Sequence, residues 1–455
     1  MSAPTQETPL QTPLGVQTLV LYAMPSAGLQ ALLWLVIFYA LKYGSDVLGV
    51  APAIVGGVFA LGRVWDAVSD PIVGHWSDRA RTRWGRRRPW LLAGAVPLAV
   101  GFWAFWLPIF PVGSLGATLW MAAALLLYHT AYTAVSIPHA AWGTEIAPTA
   151  QARTRLYAAR GVGELAGIFV AIGALHQIEN APTSAPGIAA ALGALAATCA
   201  GIAALRLREP AQPEGDGGSS PWQAMRDVLA NPIARTVLAA VFLADVGTAA
   251  MGAVLPFLTE YVMDRPGTSA QFLAAFVLPT CASIPLWVAL AGRIGAWRTW
   301  QFSCALSACA FGGYLFVDDQ TPLAWLLAIG GCVGLGQAAA RILPPAVLGD
   351  AIERDRARTG ENKEGAYFAA FHLVQKIGAA VAVGIAGLVL QWSGIGAGVA
   401  PGPRGELGIR FLMCVLPTLA MALSVGLLAW RRPRGQRTER AGAAAPSESW
   451  AGSEC

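Results

Sequence analysis

The sequence predicts an all-α integral membrane protein: twelve transmembrane helices in two pseudo-symmetric six-helix bundles. Three observations predict it. The 455 residues are 55% hydrophobic and only 13% charged, whereas about a quarter of a soluble chain is charged. Twelve apolar stretches reach the roughly 20 residues that a helix needs to cross a bilayer. The basic residues also alternate by loop. Of the 31 Lys and Arg, 23 fall in every second loop and the C-terminal tail, and only Lys42, Arg265, Arg404 and Arg410 fall on the other side. Basic loops stay in the cytoplasm, so both termini are expected there, in a multi-pass protein of the plasma (inner) membrane.

In chain order the expected spans are 17–42, 51–76, 89–109, 116–141, 156–177, 186–206, 233–261, 270–293, 299–317, 323–348, 366–391 and 408–430. Span 1 follows a start that lacks the basic region of a signal peptide. Span 2 is apolar but carries Arg63, Asp66 and Asp70, and six Arg follow it between Arg79 and Arg88. Spans 3 and 4, and 9 and 10, are divided only by short loops. Trp84 and Trp90, Trp297 and Trp300, Trp392 and Trp430 stand near span ends, where aromatic belts form. Residues 207–232 are polar and rich in Pro, Gly and Ser, and read as a cytoplasmic linker between bundles 1–206 and 233–431. Residues 432–455 read as a disordered cytoplasmic tail.

The two halves echo each other. Span 4 leaves through WGTEIAPTAQARTRLYAAR and span 10 through LGDAIERDRARTGENKEGAYFAA. Each has an acid near a Gly, then an Arg-Thr pair, then the next span. Repeated halves are common in secondary transporters, with the substrate site near the midplane between them. The pattern resembles the major facilitator superfamily.

Charges at membrane depth are the main chemical signal. Arg63, Asp66 and Asp70 stand at i, i+3 and i+7 on one helical face. Ionisable groups there are costly, so they face a water-filled cavity or a partner. Two carboxylates this close suit a sodium ion, which needs several oxygen ligands, or a proton. Lys376 lies in the middle of span 11 and requires an acid. Arg160 and Glu164 stand at i and i+4 in span 5. Asp245 and Arg341 are further intramembrane charges, for which a gating pair is one expectation.

Three segments narrow the resemblance: GRVWDAVSDPIVGHWSD with RTRWGRRRPW, YTAVSIPHAAWGTEIAP with ARTRLYAAR, and KEGAYFAAFHLVQKIGAA. Together they resemble the glycoside–pentoside–hexuronide:cation symporters, the melibiose-carrier-like branch of the superfamily. The resemblance implies cation sites at Asp66 and Asp70, with Ser136 where melibiose-type members have a third acid. It implies that Lys376 competes with the cation for the same carboxylates, with Arg63 beside them. It implies a substrate cavity lined by Gln30, where melibiose-type members have an acid, and by Tyr132 and Arg160. Trp34, one turn from Gln30, is a candidate stacking platform. Phe371, His372 and Gln375 precede Lys376 on the cavity side. By superfamily analogy, Arg86 and its neighbours latch the cytoplasmic side to Asp78, Glu145 and Asp350.

The expected activity is therefore cation-coupled symport, driven by Na+ or H+, of a small solute: a sugar or glycoside, or alternatively a lysophospholipid or other amphiphile. A non-transporting membrane sensor is the alternative of another class. No resident cofactor is expected, and no metal beyond Na+ at Asp66 and Asp70. The net charge of +5 is explained by topology rather than by nucleic acid. No GxxxxGK[ST], HExxH, GxSxG or paired CxxC motif occurs, so neither ATP-driven transport nor an enzyme is expected. The remaining expected partners are membrane lipid and the substrate, in a monomer.

Overall fold

The computed structural model describes residues 14–147, 149–208, 226, 228–359, 364–395 and 402–430. The described elements are all helical. The first six spans are Val16–Lys42, Pro52–Arg79, Arg88–Phe105, Leu115–Ile146, Ala150–Asn180 and Ala185–Arg206. Span 7 is Pro232–Tyr261, span 9 is Ala296–Gly313, span 10 is Leu323–Thr359 and span 11 is Glu364–Trp392. Span 8 consists of Ser269–Ala282 and Ile284–Ile294, and span 12 of Pro403–Arg410, a π turn Phe411–Val415 and Leu416–Trp430. The expected tail and most of the expected linker lie outside the described residues.

Every expected span is met by a helix. Spans 4, 5 and 10 run more than a turn beyond the expected ends, so the helices project past the bilayer at the Arg-rich end. Nine described helices are long and apolar enough to cross a membrane, and span 8, bent by 44°, makes a tenth. Span 2 falls outside that set because its charges lower its hydropathy. Span 9 falls outside because it is short and carries Arg298, Gln301, Ser303 and Ser307. The bend in span 8 sits between Pro279 and Pro285. Proline removes a backbone donor and disfavours helical geometry at the residue before it.

The helix pairing has an internal symmetry. Span 1 packs on 5 and 6, span 3 on 4 and 6, and span 2 on 4. Span 7 packs on 11 and 12, span 9 on 10 and 12, and span 8 on 10. Adding six to each number of the first set produces the second. The halves meet through spans 1 and 7, 2 and 11, and 5 and 8. The same rule exchanges the last two pairs. The seam between halves is therefore formed by spans that carry most of the intramembrane charges.

One glycine pair sets how closely the halves meet. A Cβ on Gly56 would lie 2.7 Å from the Val383 carbonyl oxygen and 3.1 Å from the Cα of Gly387. A Cβ on Gly387 would collide with the Pro52 carbonyl oxygen. Small residues let helix backbones approach in this way.

Candidate cation and substrate site

Spans 2 and 4 run parallel, and their polar residues fall in register. His129 Nδ1 lies 3.3 Å from Asp66 Oδ2, and Thr133 donates its hydroxyl to Asp70 Oδ1 at 3.0 Å. Four residues separate the partners on each helix, one helical turn. Gly62 makes room for the imidazole: a Cβ there would lie 2.8 Å from His129 Cδ2. The Trp65 indole donates to the Thr130 hydroxyl at 2.9 Å and pins the same crossing.

The two acids have different partners. Asp66 is buried, and it faces Arg63 at 3.5 Å as well as His129. Its Oδ1 has no hydrogen-bond partner among the described residues. Asp70 is half-buried and accepts from the Lys376 ammonium of the opposite half. Lys376 therefore meets the expected acid, and that bond joins the halves. Ser136, the expected hydroxyl ligand, is half-buried one turn further along. Thr133, not Ser136, bonds the carboxylate. Neither Thr133 nor His129 was picked out from the sequence. The available signal was their i, i+4 spacing in span 4, which matches that of Asp66 and Asp70 in span 2. An ion that displaced the Lys376 ammonium would meet oxygen donors from Asp70, Thr133 and the open Oδ1 of Asp66. Hard cations favour such a donor set.

The substrate candidates form two walls. In the first half, Arg160 pairs with Glu164 at 2.8 Å. Tyr132 feels the charges of Arg160 and Glu164, and Gln30 is half-buried on span 1. His139, on the face of span 4 with Tyr132 and Ser136, is instead buried and bonds the Tyr22 carbonyl at 2.9 Å. In the second half, His372 is exposed and its Nδ1 lies 3.3 Å from Gln375 Oε1. Arg160 and Lys376, from opposite halves, both act electrostatically on His372, so the two groups lie on the same side of the seam between halves. Phe371 departs from expectation: it is buried in the apolar core. Trp34 also departs, because Phe38 stacks on its ring at 5.3 Å and the Arg341 guanidinium stands 6.0 Å from its centroid. It is a holder of Arg341 rather than an open platform.

Asp245 sits where span 7 touches span 11. A Cβ on Gly378 would lie 3.1 Å from the Asp245 Cβ. Arg341 and Gln375 are the polar side chains set against it. Among the described residues, no ion pair within 4 Å joins Asp245 to Arg341. Both belong to the second half.

The Arg-rich end also differs from expectation. Arg87, rather than Arg86, is the hub. It is 3% exposed, pairs with Asp78, donates to the Ser77 hydroxyl at 2.7 Å and pairs with Glu145 at 2.8 Å. Arg86 pairs with Glu145 at 2.6 Å. The partners that these two arginines have here all lie in the first half, so these contacts brace that bundle. Asp350 is exposed near the end of span 10. The opposite end carries the cross-half ion pair. Lys42, 5% exposed, lies 2.5 Å from Asp46 and 2.9 Å from Glu260 of the other half. The Tyr261 hydroxyl donates to Asp46 at 3.1 Å, and the Ala270 N–H donates to Glu179 at 3.4 Å.

Known proteins resemble this chain over most of its length. A putative glycoside/cation symporter, YagG of Escherichia coli K12, is 26% identical, with 86% of each chain covered. The sodium-dependent lysophosphatidylcholine symporter 1 of Xenopus tropicalis is 22% identical, over 93% of this chain and 88% of its own. The solved structure of the nucleoside transporter NupG superposes with a TM-score of 0.66 at 11% identity, covering 92% of this chain and 100% of its own. That likeness concerns fold alone. The family model described as MFS/sugar transport protein matches residues 21–432. This multi-pass membrane protein is a member of the MFS/sugar transport protein family.

Proposed function

We propose that the protein is a secondary active symporter that couples a cation, Na+ or H+, to uptake of a sugar or glycoside by alternating access. The observation that carries this reading is the Lys376–Asp70 bond between halves, one turn from Asp66 and against Thr133. A cation that binds these carboxylates competes with the ammonium, so ion occupancy biases how the halves sit. A ligand shifts such an equilibrium only by its differential affinity for the two states. The cation acts as cargo, and no resident cofactor is needed. The proposed bundles are 1–206 and 233–431, rocking about the cavity with the Arg-rich end in the cytoplasm.

The sugar assignment is supported by the cavity's hydrogen-bonding groups: Gln30, Tyr132, Arg160, Glu164, His372 and Gln375. Sugar hydroxyls satisfy such groups, whereas an acyl chain leaves them unpaired, at a cost. The amphiphile reading is supported by the relative named as a lysophosphatidylcholine symporter.

The test begins with purified protein and a thermal-shift screen against sugars, glycosides and lysolipids, each with Na+, Li+ or altered pH. A ligand that binds only the folded state raises apparent stability. The best ligand is then followed into reconstituted vesicles. Asp70→Asn is expected to abolish gradient-driven accumulation while the protein stays folded. Accumulation retained in that variant would remove Asp70 from the coupling site, and binding without any accumulation would favour a sensor.

A further inference from the structure

The Lys42 ammonium is held in a box built mostly by the other half. Its Nζ lies 2.5 Å from Asp46 on its own side and 2.9 Å from Glu260 across the seam. The Phe257 and Tyr261 rings of span 7 stand 5.1 and 4.6 Å from it. Phe257, Glu260 and Tyr261 stand at i, i+3 and i+4, so they share one face of span 7. Span 7 also ends at Tyr261, and a helix C-terminus favours positive charge. Glu179 of span 5 is a third acid at this end. It accepts the Ala270 N–H at 3.4 Å and lies within electrostatic range of Lys42 and Glu260. The Glu260 side chain is 38% exposed, so the box reaches the surface, with buried Phe257 as its floor. Aromatic faces beside a carboxylate recognise an alkylammonium ion. A hard metal cation, which needs several oxygen ligands, is less well served by two rings and one carboxylate.

We propose that the span 7 face of Phe257, Glu260 and Tyr261 is a binding site for a small external alkylammonium ion, and that Lys42 occupies it as a tethered ligand while this end is closed. When the halves part, Lys42 keeps Asp46, four residues along its own chain, and leaves the span 7 face open. An external ammonium then takes the place of Nζ, paired with Glu260 and set against the two rings. Bound there, it excludes Lys42 and holds the end apart. It acts as an inhibitor of closure, not as cargo. The site is separate from the cation and substrate residues: Lys42 lies twelve residues beyond Gln30 on span 1, about 18 Å of helix. The inference goes beyond the symport reading and does not depend on which solute moves.

The test uses n-propylammonium, which restores the atoms that Lys42→Ala removes, and tetramethylammonium, whose fixed charge keeps it outside vesicles. n-Propanol and matched NaCl are the controls. The full chain in detergent at pH 7 is first followed by thermal shift. n-Propylammonium is expected to stabilise Lys42→Ala, and the controls are not. With Lys42 intact the ion must wait for the open state, so its apparent affinity is scaled down by the open fraction. The half-effective concentration should therefore be at least about tenfold lower in Lys42→Ala than in the wild type. Adding Glu260→Gln to Lys42→Ala should erase the effect. No stabilisation of Lys42→Ala beyond the controls refutes the site. Stabilisation that persists with Glu260→Gln places the ion elsewhere and refutes it as well. The second measurement keeps Lys42 and uses vesicles. It reads the labelling rate of Gln30→Cys, in a Cys-free background, by an impermeant maleimide added from the Lys42 side. External tetramethylammonium should raise that rate at least about twofold over matched NaCl, because it selects the open state. An unchanged rate refutes the proposal, and this measurement decides alone if Lys42→Ala fails to fold.

Discussion

At Asp70 a single carboxylate is shared between a hydroxyl of its own half and an ammonium of the other. Thr133→Val keeps the shape of that hydroxyl's side chain and removes only the donor. The lost bond is worth about 1.5–3 kcal/mol to a charged acceptor, so cation affinity should fall at least roughly tenfold, read from the ion dependence of thermal stability. Ser136→Ala should change it less, because Ser136 does not bond the carboxylate. The reverse order would restore Ser136 as the ligand. These carboxylates were legible in the sequence because intramembrane charge is rare enough to stand out. Their partners were not. Threonine is ordinary in a span, and a lone histidine has no period of its own. Only the parallel register of two helices, with matching four-residue spacing, assigns Thr133 to Asp70 and His129 to Asp66. Arg87 teaches the same lesson at the surface. Six Arg in one loop read as topology, and burial alone singles out the one that braces Ser77, Asp78 and Glu145. Removing one partner of a buried pair leaves an uncompensated charge. Arg87→Met should therefore cost about 3 kcal/mol, seen as a lower melting temperature, whereas partly exposed Arg86→Met should cost less.

Among elements, the twelve helices were legible because hydropathy and basic-loop alternation both repeat along the chain. Their ends were less so. Spans 4, 5 and 10 continue beyond the bilayer into polar sequence, where an apolar-window argument has nothing to read. The break in span 8 was equally hidden, because an apolar run containing Pro279 and Pro285 has the composition of one span. Helix-to-helix distance is invisible in composition as well. Gly56 and Gly387 acquire meaning only when spans 2 and 11 are seen to cross there. That crossing belongs to the contact that alternating access must make and break. Gly387→Ala adds a methyl group that the Pro52 carbonyl must yield to, so the closed arrangement of that end should become less populated. Ala53 donates to the Gln391 side chain at 3.2 Å beside the same crossing. In a Cys-free background, disulfide formation between Ala53→Cys and Gln391→Cys should therefore slow when Gly387→Ala is added. An unchanged rate would show that the crossing adapts without cost.

For the whole molecule, the distribution of ion pairs is asymmetric. At the Arg-rich end the Arg87 contacts with Ser77, Asp78 and Glu145 lie within the first half. At the other end Lys42 is enclosed by Asp46, Glu260 and the Phe257 and Tyr261 rings, at 5.1 and 4.6 Å. The chain leaves span 1 there through a π turn, Tyr43–Val47, a form frequent at functional sites. In the sequence, Lys42 is one of the few basic residues on the sparse side. Nothing within span 1 reveals that its partner is Glu260, 218 positions away. If the halves part at this end, Lys42 keeps Asp46, four residues along its own helix, and loses Glu260. The Lys42–Glu260 pair thus favours the closed state without contributing to the open one. That differential contribution is the kind that moves a conformational equilibrium. Glu260→Gln removes the charge and keeps the size. If the pair favours closure by about 1.4 kcal/mol, the open population rises about tenfold. The measurement is the labelling rate of a cysteine placed at Gln30, in a Cys-free background, by an impermeant maleimide added from the Lys42 side of the membrane. That rate should rise in Glu260→Gln, and adding Lys42→Met should raise it little further, because the contact between the halves is already broken. A rate that does not rise in Glu260→Gln would mean that spans 1 and 7 are held by packing around Phe38 and Gly252, with the ion pair as a passenger.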